Sequence, residues 1–164
     1  MTTRTRIREE HWNPEPGGYR AWRRQTYLGS GDAFWEQSAA ALLRWEVKTR
    51  SGFRISPQDK VRSGARPQII VPVRPASIHE PVEVVDVVEA DDVVGFAYRT
   101  LPGHPVSGEE AFILRRLGPS VFLEIRSLTA ASDRGVWRSV FWLLLGAQKL
   151  TRWRYLRALR QRRS

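Results

Sequence analysis

The sequence contains no cysteine. Disulfide bonds, thiolate nucleophiles and cysteine-based zinc sites are therefore excluded, and the composition fits a reducing compartment. Histidine occurs three times, at His11, His79 and His104, and no two stand at the His-x-x-x-His or His-x-His spacing that suits a metal. No metal and no cofactor is expected. Long apolar runs are also missing. The longest, Val140 to Leu145, is far short of the roughly 20 residues that span a bilayer. The opening MTTRTRIREEHWNPEPGG has charge but no apolar stretch of the kind a signal peptide needs, so the expected location is cytoplasmic. There is no Walker loop, no dinucleotide-binding glycine fingerprint and no Gly-x-Ser-x-Gly elbow, which leaves nucleotide and α/β-hydrolase chemistry without a motif.

What is present suits a folded domain. At 164 residues, 41% hydrophobic and 27% charged, the chain fits one domain with a substantial core. Its net charge is +10, but that charge is unevenly placed. The tail KLTRWRYLRALRQRRS carries seven basic residues and no acidic one, leaving 20 basic against 17 acidic residues elsewhere. Such a tail offers a docking face for nucleic acid, an anionic membrane surface or a protein partner. It equally suits a terminal helix whose cations sit at the negative end of its dipole. Of the 27 basic residues, 24 are arginine.

Residues 1–18, with Pro14, Pro16, Gly17 and Gly18 at their end, read as a poorly ordered lead-in, residues 19–160 as a single domain, and 161–164 as a tail. Strand-forming aromatics mark YRAWRRQTYLG. SGDAFWEQSAAALLRWEV follows as a helix that Ser30 or Asp32 can cap, with Phe34, Ala41, Leu42 and Trp45 on one face. PQIIVPV reads as an edge or irregular strand. In PVEVVDVVEA the alternation slips at Val84-Val85, as a bulge would cause. DDVVGFAYRTL, EEAFILRRL and SVFLEIRSLTA are three further strands, the last two joined tightly by Gly118-Pro119. Links this short require antiparallel neighbours. A long helix from Ser132 to Arg160 ends the chain, its stripe of Val136, Val140, Leu143, Ala147 and Leu150 widened by Trp137, Phe141 and Leu144. The fold expected is α+β of the helix-grip type: a curved antiparallel sheet wrapped around a long C-terminal helix, with a short helix after the first strand.

One stretch carries most of the chain's chemistry. In AYRTLPGHPVSGEEAF, residues 97–112, an apolar run breaks into prolines, glycines, a histidine, a serine and paired glutamates. As a hairpin it places Phe96, Tyr98 and Thr100 on one face, with Glu110 and Phe112 sharing a face on the return strand. One of the adjacent glutamates must then point to the core side. The candidate acid/base groups are Glu109, Glu110 and His104, near the hydroxyls of Tyr98, Thr100 and Ser107. The same stretch also reads as a shaped turn, with Ser107 bonded to its own backbone and both glutamates solvated.

FAYRTLPGHPVSGEEAF closely resembles the signature of the DUF1990 family. The match is dense at Tyr98, Thr100, Leu101, Pro102, Gly103, His104, Pro105, Gly108, Glu109, Glu110 and Phe112, and departs at Arg99 and Val106. LGSGDAFWEQSAAALLRW resembles the family's helix entry, IRSLTAAS its approach to the terminal helix, and Gln148 and Tyr155 fall where that helix usually has Gln and Tyr. The resemblance implies a relative of the START and Bet v 1 helix-grip folds and carries over no catalytic residue. Proteins of that architecture often hold apolar molecules. The partner expected first is therefore an apolar or amphipathic small molecule, bound between sheet and terminal helix. Phe96, Tyr98, Phe112, Trp137 and Phe141 would line its cavity, and Thr100, His104, Ser107 and Glu110 would serve as polar anchor or gate. An enzyme using the glutamates and His104 on such a ligand is the alternative, and an adaptor docking through the basic helix the next.

Overall fold

The computed structural model describes residues 3–15, 17–131 and 141–161, with all their side chains except those of 131, 141–146 and 148. Strand β1 (Arg20–Ser30) leads into helix α1 (Asp32–Leu42), the short helix α2 (Glu46–Thr49) and a small strand β2 (Arg54–Ser56). Then come β3 (Gln68–Val73), β4 (Ala76–Glu89), β5 (Val93–Thr100), β6 (Val106–Leu117) and β7 (Ser120–Ala131), and finally helix α3 (Phe141–Ala158). The strands form one seven-stranded sheet in the order β1-β7-β6-β5-β4-β3-β2. Every pairing is antiparallel, as links too short for a crossover require. The register of β4 against β5 shifts between Val84 and Asp86, so the slipped alternation in the sequence is a bulge. PQIIVPV forms β3 and stands one place from the edge, because β2 lies outside it.

Two details of the first helix differ from the sequence reading. Neither Ser30 nor Asp32 caps α1: its N-cap is Gly31, while the Asp32 carboxylate accepts a hydrogen bond from Arg116. The helical run also breaks at Trp45, which takes a left-handed conformation at φ 65°. That conformation is rare for a bulky residue, and a buried aromatic contact accompanies it here, Trp45 meeting Phe96 edge-on at 4.8 Å. Trp45 thereby becomes the N-cap of α2, the helix that carries Lys48.

The sheet is buried on both faces at its centre. On the concave side Phe96, Phe112, Leu114, Leu123 and Ile125 pack with Trp35, Leu42 and Trp45, and with Tyr155 and Leu159 of the terminal segment. On the convex side Ala97, Ala111, Ile113 and Val88 pack with Ile7. Burial on both faces explains why β5 and β6 read as nearly continuous apolar runs.

The poorly ordered lead-in expected over residues 1–18 is not what residues 3–15 form. They lie as a strap against the convex face, with Ile7 and Trp12 buried. Arg126, fully buried on β7, donates hydrogen bonds to the carbonyls of Thr5 (2.9 Å), Arg6 (2.7 Å) and Glu9 (2.6 Å). Its Nε donates to Glu124 at 2.7 Å. Glutamate 109 holds the other end, accepting from the backbone N–H of Thr5 at 2.8 Å and of Arg4 at 3.1 Å. No helix among the described residues is long and apolar enough to cross a membrane.

Candidate functional site

The β5–β6 hairpin forms in the register its alternation implies, with Tyr98 opposite Glu110 and Arg99 opposite Glu109. Because neighbours on a strand face opposite ways, the two glutamates part. Glu109 goes to the convex strap, while Glu110 turns to the concave side and accepts a hydrogen bond from the Tyr98 hydroxyl. The connecting loop is tied at both ends. Thr100 Oγ1 accepts from the Gly108 N–H at 3.0 Å, and His104 Nδ1 accepts from the Val106 N–H at 3.1 Å. With Nδ1 occupied as an acceptor, the proton of a neutral ring resides on Nε2, which lies 3.5 Å from the Glu80 carboxylate.

A second, unforeseen element completes the polar cluster. Lys48, on α2, is almost wholly buried, and its ammonium donates to Glu110 Oε2 at 2.9 Å and to the Tyr155 hydroxyl at 2.6 Å. It lies 4.5 to 5.3 Å from the ring centroids of Tyr155, Tyr98, Phe53 and Phe112. This cage of π-faces compensates part of the water the cation has lost. Burial alone would raise the pKa of Glu110, but the Lys48 ammonium and the hydrogen bonds from Tyr98 and Lys48 hold it below the usual carboxylate range. Burial, and then the Glu110 charge, push Tyr98 and Tyr155 well above the usual phenol value.

These groups form one wall of a cavity of about 290 Å³ between the concave sheet and α3. The lining also includes apolar Val71, Val73 and Ile78 on the outer strands, and Phe53, whose ring lies beside Lys48. From α3 come Ala147, Thr151, Arg152 and Tyr155. The Arg152 guanidinium carbon lies over the Trp22 ring, 4.3 Å from its centroid, and the side chain donates to Ser127 Oγ at 3.4 Å. A second crevice of about 210 Å³ opens on the convex side, between the strap and the ends of β5 and β6.

The structure divides the residues singled out in the sequence. Tyr98, Thr100, His104, Glu109 and Glu110 all contribute to the cavity wall, although the Glu109 carboxylate is engaged on the other face. Ser107 contributes to the convex crevice. Phe96 and Phe112 lie fully buried in the core, their rings 5.7 Å apart, and the cavity wall does not include them. Phe141 opens α3, and Trp137 lies outside the described residues. Of the candidate acid/base groups, Glu109 turns to the strap, His104 meets Glu80, and Glu110 is held by Lys48 and Tyr98. Lys48, Glu80 and Arg152 escaped the sequence reading. The one available signal for Lys48 was rarity, since the chain has only three lysines.

An antiparallel sheet curved about a C-terminal helix, with a cavity between them, defines a helix-grip protein. The chain belongs to the family described as Domain of unknown function (DUF1990), whose model matches residues 3–158. A UPF0548 protein of Deinococcus radiodurans is 30% identical over 132 residues, which cover 71% of this chain and 65% of that relative. The chain thus spans less than two thirds of that curated relative's length. Among solved structures, the Zhui aromatase/cyclase from Streptomyces sp. R1128 superposes with a TM-score of 0.61 at 14% identity, covering 86% of this chain and 91% of that one. Ginseng major latex-like protein 151 from Panax ginseng gives 0.52 at 13% identity, covering 83% and 98%. At these identities the likeness is one of fold.

Proposed function

We propose that the protein binds an amphipathic small molecule in the cavity between sheet and α3. The observation that carries this reading is the cavity's mixed lining, which joins the Lys48–Glu110–Tyr98–Tyr155 cluster with the apolar side chains of Val71, Val73 and Ile78. An apolar lining with a few fixed polar groups is how small-molecule sites combine affinity with orientation. At about 30 Å³ per water-sized group, the space suits a ligand of about ten non-hydrogen atoms. The pKa directions favour binding over chemistry. Phenols held well above their usual pKa stay protonated and donate hydrogen bonds, and a carboxylate held low is a weak base.

Native mass spectrometry of the freshly purified protein, compared with its denatured mass, tests the reading. The expected result is a reproducible extra mass that denaturation releases, and that Val71→Trp, which fills the apolar wall, abolishes. A clean unliganded mass, together with no binding of medium-chain amphipaths by calorimetry, would overturn it.

A further inference from the structure

We infer that the ligand carries a carboxylate and that Arg152 binds it; this rests on the binding function proposed above. The acidic groups of the cavity already have partners. The Glu110 carboxylate takes hydrogen bonds from Lys48 at 2.9 Å and from Tyr98. Glu80 faces the His104 ring at 3.5 Å, and the Glu109 carboxylate is spent on the strap. Arg152 stands apart. Among the described residues it has no ion-pair partner, and its hydrogen bonding is one long contact to Ser127 Oγ at 3.4 Å. A guanidinium has five N–H donors and stays cationic in any protein, so most of this one's donors have no protein partner among the described residues. Burial already disfavours its charge, the first cause of its lowered pKa, while the charges of Glu110 and Tyr155 raise it and the Trp22 ring offsets part of the cost.

Its setting also fixes its direction. The guanidinium carbon lies over the Trp22 ring, 4.3 Å from its centroid, and one of its N–H groups reaches Ser127, itself a wall residue of the cavity. A planar fork of N–H groups held by stacking matches a carboxylate in bidentate fashion. The neighbouring Glu110 and Glu80 select the charge of the ligand. They would repel a dianion such as a phosphate monoester more strongly than a monoanion, and the apolar wall of Val71 and Ile78 takes the ligand's hydrocarbon part. The class is therefore a medium-sized apolar molecule ending in one carboxylate.

Isothermal titration calorimetry of the full chain at pH 7.5, with octanoate and 1-octanol as matched probes, tests this. The native protein is expected to bind octanoate about tenfold or more tightly than 1-octanol, the ratio expected of a charge-assisted hydrogen bond. Arg152→Gln should erase that preference by lowering the affinity for octanoate much more than that for 1-octanol. Arg152→Lys should keep part of it, since an ammonium supplies the charge without the fork. If both probes bind equally to the native protein, the carboxylate inference fails while the cavity reading stands. If neither binds, both fail together. A thermal melt shows whether Arg152→Gln is folded; if it is not, an octanoate preference unaltered in Arg152→Lys overturns the role of Arg152.

Discussion

Lysine 48 is the residue on which the polar cluster depends. Its side chain is 4% exposed and that of its partner Glu110 is 18% exposed, so neither charge is well solvated. Removing one member of such a pair strands the other, at a cost of about 3 to 5 kcal/mol. Lys48→Met should lower stability to urea by about that amount. The double variant Lys48→Met/Glu110→Gln should lose less, because the amide keeps an acceptor for Tyr98 without a charge to compensate; a double-mutant cycle of urea midpoints checks this. The same carboxylate governs behaviour in acid. Glu110 and Glu124 both have folded pKa values below their usual ones, Glu124 because hydrogen bonds from Arg126 and Arg23 outweigh its burial. Groups lowered in this way contribute stability above the unfolded carboxylate value of about 4.3, and that contribution is lost as pH falls from there through the lower folded values. Urea midpoints should therefore decline below about pH 4.3, and less steeply in the double variant. At this scale the sequence revealed only half of the pair. Glu110 stood in a conspicuous loop, whereas Lys48 followed an ordinary helical run, and nothing local shows that Trp45 turns it inward.

Between residues and the whole lie the strands and the strap. A Cβ added at Gly108 would come 1.8 Å from the Leu128 carbonyl oxygen on the neighbouring strand. That oxygen belongs to backbone and cannot yield without moving β7. Gly108→Ala should cost about 1 to 3 kcal/mol, towards the upper end, and loosen the loop that carries His104; urea unfolding and hydrogen exchange at Val106 would show both effects. Deleting residues 1–12 should cost at least about 3 kcal/mol, since buried Arg126 and Glu109 would each lose partners together. Chemical denaturation of the truncated chain measures that loss. The strands were legible because alternation, a slipped pair and a Gly-Pro link are local signals. The strap was not, because its anchors are backbone carbonyls and amides, which every sequence possesses equally. Ile7 and Trp12 are too few to mark a buried segment among so many charges.

At the level of the molecule, the cavity joins parts that are remote in sequence. Lys48 lies 62 positions from Glu110 and 107 from Tyr155. Element order therefore implied a cavity between sheet and helix, while its lining and volume depended on tertiary packing that no window of sequence contains. A bound molecule should stabilise the whole assembly. Octanoate at about a hundred times its Kd adds about 2.7 kcal/mol, which for a chain of this size corresponds to a rise in Tm of about 5 to 10 °C, readable by scanning fluorimetry. The strap sets a timetable as well. Arg126 meets the carbonyl of Thr5 across 121 positions, and β1 has its partner in β7. At about 5 to 20 residues per second, the ribosome adds that intervening length in roughly 6 to 24 seconds. For most of that interval Ile7, Trp12 and β1 have been made while β7, which completes their anchorage, has not. Residues 3–15 and β1 are thus made long before the strand that secures them, and their final anchorage waits on the completion of β7.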